Sequence, residues 1–208
     1  MTARTVLVNT LTFLRVPLIF AWMVLAIVGE FRGSVALGLV AVTMMFFAGL
    51  SDLVDGWLAR RWNVVTPLGK MADPLMDKVF YVVAFPTLTW LVQRPGESDV
   101  HALVMLVFTI LCILRDLWVT FMRAVGSMYG ADGAAMWLGK VRTALLFPFA
   151  GLIYFYTFLH RLLPPAGQSA CLLFCYAAEA AMIVLNLYSS VAYTRVYLPY
   201  LKKALERK

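Results

Sequence analysis

Four carboxylates in a chain with few charges define the chemistry this sequence can do. Asp52 and Asp55 are three residues apart, and Asp73 and Asp77 are four apart. On a helix, each pair projects from one face. At low dielectric, carboxylates brought this close repel by on the order of several kcal/mol per pair. Cations between them turn that repulsion into binding. Oxygen donors at this density suit Mg²⁺, Mn²⁺ or Ca²⁺, whereas zinc would call for His or Cys. The competing reading is four separate ion pairs with Arg60, Arg61, Lys70 and Lys78. Apolar residues in place of such pairs would serve stability better, so the cation reading is preferred.

The residues among the aspartates refine this. Gly56 follows Asp55 directly, and Ala59 comes one turn later. Small residues beside carboxylates let a bulky ligand approach the helix backbone. Arg60 adds a planar fork suited to phosphate. Gly69 opens the approach to Asp73 in the same way. Cation ligands, a phosphate-binding arginine and room for a flat group together suit a nucleotide diphosphate.

The elements that must position these groups follow from composition. The 208 residues are 62% hydrophobic and 14% charged, with a net charge of +7. A soluble domain is about 45–50% apolar and about 25% charged. A soluble globule of this size could not bury so much apolar surface, so the solvent is lipid. Soluble enzymes, disordered chains and disulfide scaffolds are excluded. A spanning helix needs about 20 apolar residues. Six segments qualify, at 11–29, 34–51, 74–93, 101–122, 141–159 and 168–190, separated by Gly-, Pro- or charge-rich breaks. One all-α integral membrane domain over 1–208 is the economical reading, and the lack of period-two alternation argues against a barrel. Arg15 inside the first apolar run marks a retained helix rather than a cleaved signal.

With six spans, fifteen of the eighteen basic residues fall on the side of the termini and the second and fourth loops. The positive-inside rule makes that side cytoplasmic and both termini with it. All four aspartates lie at the cytoplasmic ends of the second and third spans. Ionisable groups at such positions are functional candidates by default. Cys112, Cys171 and Cys175 read as apolar core residues. His101 and His160 lie on the far side and are not expected to be ligands. Glu179 and Asn186 in the last span are expected to pair across helices or at a dimer contact. Tyr193, Tyr197 and Tyr200 fit an interfacial aromatic belt. The basic tail Lys202, Lys203, Arg207 and Lys208 reads as an anchor to anionic lipid, and no nucleic-acid partner is expected.

The run Asp52-Leu-Val-Asp55-Gly56-Trp-Leu-Ala59-Arg60, eight residues, then Gly69-Lys-Met-Ala-Asp73-Pro-Leu-Met-Asp77 resembles the signature of the CDP-alcohol phosphotransferases at all eight signature positions. The resemblance implies six transmembrane helices, a homodimer and a site open to the cytoplasm. It implies that Asp52, Asp55, Asp73 and Asp77 bind two divalent metals, Mg²⁺ or Mn²⁺, with Asp77 also the general base. Gly56, Ala59, Arg60 and Gly69 would shape the CDP site. Asn9-Thr-Leu-Thr12-Phe-Leu-Arg15, Arg115-Asp116 with Arg123, and Gly139-Lys140-Val-Arg142-Thr143 resemble the bacterial phosphatidylglycerophosphate synthase branch. Asp116 and Arg142 depart from the Glu and Lys expected there, and Pro67 from a polar residue.

That branch implies CDP-diacylglycerol as donor and glycerol 3-phosphate as acceptor, in a bacterial cytoplasmic membrane. A phosphate dianion needs a basic pocket. Arg115, Arg123, Lys140 and Arg142 supply it, and Arg115 and Arg123 sit about two helical turns apart on one face. Asp116 would orient one of these arginines. Asn9 and Thr12 either touch the nucleotide or cap a helix. Inositol phosphate, or phosphatidylglycerol as in a cardiolipin synthase, are alternative acceptors. A cation transporter is the rival of another class, against which stands the clustering of acids at one membrane face.

Overall fold

Six α-helices make up the fold: α1 (Ala3–Phe31), α2 (Val35–Arg61), α3 (Pro67–Val92), α4 (Asp99–Met128), α5 (Trp137–Leu159) and α6 (Pro165–Glu206). The structure, a computed structural model, describes residues 3–64, 67–93, 99–131, 136–159 and 162–206. The side chains of Leu53, Pro67, Leu68, Lys70, Met71, Asp73, Pro74 and Leu159 lie outside that description, as does all of His160. All six helices contain a stretch long and apolar enough to cross a membrane. The all-helical, six-span expectation is therefore met. In lipid, only structures that satisfy their backbone internally can span, and each of these helices does so along its own length.

The helix ends follow local chemistry. α1 stops where Gly33 takes a left-handed φ of 59°. The Gly33 and Ser34 N–H groups donate back to the Glu30 and Gly29 carbonyls, which satisfies the last turn. Ser34 then caps α2, its hydroxyl accepting from the Leu37 N–H. Asn63, one of the few residue types that tolerate φ near +53°, closes the other end of α2.

One regularity separates the helices from the apolar runs. At one end of the bundle, the helix boundaries agree with the expected spans within three residues. At the other end every helix overruns its span, by four residues in α5 and sixteen in α6. That second end carries Asp52, Asp55, Asp77, Arg115, Arg123 and Lys140. Apolar composition thins out there, but Asp, Arg and Lys do not stop a helix.

The core lies between α3, α4 and α5. Phe85 packs edge-on against Phe108 at 4.9 Å, and Phe108 against Phe149 at 4.8 Å. Such pairs add about 0.5–1.5 kcal/mol each beyond burial. α1 docks through Val8, Thr12, Arg15, Ile19, Trp22 and Ala26, a buried stripe at three- and four-residue spacing. The outward faces, including Phe20, Leu103 and Leu173, are exposed and apolar, as a lipid-facing surface requires.

α6 has 42 residues. At 1.5 Å per residue it is about 63 Å long, twice the roughly 30 Å hydrocarbon core. Its last turns therefore extend past the spanning region. Tyr193 and Tyr197 are buried there against Val119 and Met122 of α4, with Tyr200 partly buried beside them. The expected aromatic belt is thus corrected for Tyr193 and Tyr197. Their rings serve packing between α4 and α6 rather than the membrane interface.

Candidate active site

The overrunning ends of the helices enclose a cavity of about 980 Å³. Asp52 and Asp77 line one side of it, and Arg115, Arg123 and Lys140 the other. Two of the expected carboxylates and three of the four expected basic residues thus line one space. Gly49 and Phe147 border it toward the apolar core.

On the acidic side, α1 contributes a residue that the motif spacing alone does not assign to the site. Arg15, 4% exposed, projects from the buried stripe of α1 between α2 and α3. One of its terminal nitrogens, Nη2, pairs with the Asp52 carboxylate and lies 3.4 Å from Asp55 Oδ2. The other, Nη1, lies 3.4 Å from Asp77 Oδ1. Thr12, one turn earlier, donates its hydroxyl to the same Asp55 oxygen at 2.8 Å. Asp55 is buried, while the Asp52 and Asp77 side chains are 49% and 36% exposed. The carboxylates thus grade from the helix interface outward into the cavity. The sequence signal for Arg15 is an arginine inside an apolar run, three residues from Thr12.

Arg15 is thus an ionic partner of Asp52, Asp55 and Asp77 that the sequence reading of Arg60, Arg61, Lys70 and Lys78 did not include. Arg61 instead lies over the Trp57 ring, 5.0 Å from its centroid. Lys78 donates to Thr120 Oγ1 at 2.8 Å, tying α3 to α4 at the cavity wall.

The donor set fits a divalent cation in chemistry. Asp52, Asp55 and Asp77 each turn an oxygen to one positive centre, and hard oxygen ligands are what Mg²⁺ and Mn²⁺ take. Among the described residues, no group of three or more His, Cys, Asp or Glu side chains is gathered closely enough to enclose a metal ion unaided. The side chain of Asp73, the fourth expected ligand, lies outside the described residues.

The basic side is built by a buried network. Asp116 Oδ1 accepts from Arg115 Nη1 at 2.8 Å and from Arg142 Nη1 at 2.9 Å. Arg115 Nη2 also donates to Ser189 Oγ, and its guanidinium lies 5.1 Å from the Tyr193 ring centroid. Arg142 donates from Nε to Asn186 Oδ1 at 2.6 Å and from Nη2 to Cys112 Sγ at 2.9 Å. Asp116 therefore orients two arginines, where sequence suggested one. Arg142 is 1% exposed and stands behind the cavity wall, outside its lining. Arg115 is held by α4 and α6 and reaches the cavity. Tyr193 also lines the cavity, and its hydroxyl accepts from the Met136 N–H at 3.0 Å.

The residues expected at the CDP site lie elsewhere around the aspartates. Asn9 and Thr12 are buried on α1. Gly56 and Ala59 are half-buried on α2 beyond Asp55, and Arg60 is exposed. The Arg60 guanidinium folds back along Gly56, 3.5 Å from where a Cβ would sit. Gly69 is half-buried on α3. Among the described residues, none of these six lines the cavity shared by Asp77 and Arg115. In the last span, Asn186 pairs across to Arg142, and Glu179 Oε1 meets His101 Nε2 at 2.7 Å, so the expected cross-helix pairing is met within the chain.

Comparison with known proteins places the chain in a family. The sequence model of a family described as CDP-alcohol phosphatidyltransferase matches residues 5–193. A Bacillus subtilis CDP-diacylglycerol–glycerol-3-phosphate 3-phosphatidyltransferase is 32% identical over 143 residues, 65% of this chain and 69% of that protein. A Salmonella typhimurium protein of the same name is 31% identical over 110 residues, 50% of this chain and 54% of the relative. A Streptomyces coelicolor cardiolipin synthase (CMP-forming) is 40% identical over 75 residues, 36% of this chain and 33% of that protein. The matched stretches thus span from a third to somewhat over two thirds of these relatives.

Proposed function

The chain belongs to the CDP-alcohol phosphatidyltransferase family, and from that premise we propose that it transfers the phosphatidyl group of CDP-diacylglycerol to the primary hydroxyl of sn-glycerol 3-phosphate. The products are phosphatidylglycerophosphate and CMP. The observation that carries this reading is one cavity with Asp52 and Asp77 on one wall and Arg115, Arg123 and Lys140 on the other. An acceptor that is itself a phosphate dianion needs such a basic wall close to the reacting carboxylate.

Asp52, Asp55, Asp73 and Asp77 would hold two divalent cations, Mg²⁺ or Mn²⁺. When bound, these neutralise charge on the donor phosphates and favour departure of CMP. Asp77 takes the proton from the acceptor hydroxyl as that oxygen attacks the lipid-side phosphorus. Its partial exposure to the cavity leaves the carboxylate within reach of a small polar acceptor. The P–O bond to CMP breaks as the new ester forms, so no covalent enzyme intermediate is required. Arg115, Arg123 and Lys140 bind the acceptor phosphate. Arg142 acts through Asp116, which fixes Arg115. Asn9, Thr12, Gly56, Ala59, Arg60 and Gly69 frame the nucleotide.

The excess of basic residues at the site-bearing end supports a cytoplasmic orientation of that end and of both termini, in a bacterial cytoplasmic membrane. A homodimer is the expectation carried by family resemblance.

The Streptomyces relative gives a second reading, with phosphatidylglycerol as acceptor. The basic wall favours the phosphorylated small alcohol. Purified protein incubated with CDP-diacylglycerol, Mg²⁺ or Mn²⁺ and each acceptor separates them through CMP release. Release with glycerol 3-phosphate supports the proposal. Release only with phosphatidylglycerol or inositol phosphate overturns the acceptor, and no release with any overturns the activity.

A further inference from the structure

Arg15 of α1 stands between Asp52, Asp55 and Asp77. Its guanidinium touches carboxylates from two other helices, Asp52 and Asp55 of α2 and Asp77 of α3. It is also an imperfectly held side chain. Among the described residues, its buried Nε has no hydrogen-bond partner, and the group is held through its two terminal nitrogens. A buried donor left unmade is costly.

We propose that Arg15 is an exchangeable counter-ion, holding Asp52, Asp55 and Asp77 together without metal and being displaced when divalent cations bind. This rests on the reading of the aspartates as cation ligands. Charge supports exchange. The Arg15 guanidinium brings one positive charge to the three carboxylates it touches, and a divalent cation would bring two. Geometry supports it as well. The same oxygens that accept from Arg15 are those a hard cation would take, and both cannot hold them fully. Arg15 also lines the cavity, so its side chain can turn aside without leaving the protein. The displaced guanidinium then faces the space where phosphate is bound. The device keeps the acidic cluster assembled before cations arrive, which a bare set of carboxylates would resist.

Metal affinity tests this. Removing Arg15 removes a competitor and restores carboxylate repulsion, and both effects favour cations. Mn²⁺ binding to the purified full chain, followed by electron paramagnetic resonance of the free ion, is expected to tighten roughly tenfold in Arg15→Gln, equivalent to about 1.4 kcal/mol. Arg15→Lys, which keeps the charge but not the fork, should fall between Arg15→Gln and the unsubstituted protein. Thermal unfolding of Arg15→Gln should be lower without metal and should rise more on adding Mn²⁺. The unsubstituted protein provides a readout independent of the variants. Phenylglyoxal labelling of Arg15, quantified by peptide mass spectrometry against exposed Arg32, should be faster with Mg²⁺ than with chelator. Weaker Mn²⁺ binding in Arg15→Gln, or slower labelling with Mg²⁺, overturns the exchange and leaves the aspartates as ligands. No Mn²⁺ binding to the unsubstituted protein overturns the reading of the aspartates, and the exchange with it.

Discussion

Asp116→Asn is the substitution for which the structure gives the most definite expectation. A single carboxylate oxygen accepts from Arg115 at 2.8 Å and from Arg142 at 2.9 Å. The Asp116 side chain is 14% exposed, and those of Arg115 and Arg142 are 8% and 1% exposed, so water does little to screen the cluster. An amide of the same shape can keep its oxygen in the accepting position but loses the charge. Two guanidiniums then stand close together with no anion between them. Removing one partner of a buried ion pair costs about 3–5 kcal/mol. For a chain of this size each kcal/mol corresponds to about 2–4 °C, so thermal unfolding should fall by roughly 10 °C. The functional effect is narrower. A loosened Arg115 forfeits on the order of one charge-assisted hydrogen bond to the acceptor phosphate, about 1.5–3 kcal/mol. That is a rise of about 10–100-fold in KM for glycerol 3-phosphate, with a much smaller change in KM for CDP-diacylglycerol. CMP release at varied acceptor, together with a thermal melt in detergent, measures both. Asp116→Glu keeps the charge and should stay within a few-fold of the original KM. The reasoning is refuted if Asp116→Asn leaves acceptor KM within twofold and the melt unchanged. A fall in kcat at constant KM would refute it differently, by moving Asp116 to the reacting centre.

Three further outcomes are expected. Asp77→Asn, if Asp77 is the general base, should lower CMP release by about 10²–10⁴-fold while the protein remains folded by circular dichroism. Gly49→Ala would set a Cβ at 2.3 and 2.4 Å from the Phe147 ring, which would have to shift beside the cavity; a loss of about 1–3 kcal/mol is expected, read as a lower melting temperature. Glu179→Ala removes the partner of a fully buried histidine and should destabilise by about 1–3 kcal/mol. Because His101 is fourteen residues from Arg115 along α4, about 21 Å, kcat and KM should stay within twofold.

Much of the fold is legible in the amino-acid sequence. The ends of the apolar runs away from the site coincide with helix ends, because there a Gly, Pro or Ser turn and the loss of hydropathy fall together, as at Gly33-Ser34. At the site-bearing end they do not coincide. Hydropathy reports tolerance for lipid, and the helices there continue as a polar enclosure in which charged residues are needed. The last sixteen residues of α6 have the composition of a tail for that reason, although they are helical. Arg142 resembles a ligand in sequence because its charge and its place near a span end are visible there. Its burial behind Asp116, against Asn186 and Cys112, is not.

By itself the sequence determined the solvent, the number of crossings and the four carboxylates whose spacing asks for cations. Those properties are local: they depend on composition within a run of about twenty residues, or on spacing within one helix turn. Tertiary structure decided what the carboxylates meet. Arg15 lies 37 residues from Asp52 and 62 from Asp77 along the chain, and it reaches them only because α1 docks through one stripe between α2 and α3. Asp116 likewise joins Arg115 and Arg142 only because α4, α5 and α6 pack together. Charge alone left fifteen basic residues as candidate partners. Packing set Arg15 against Asp52, Asp55 and Asp77, and Arg115 and Arg142 against Asp116, because a buried charge is tolerated only where an opposite one is held against it.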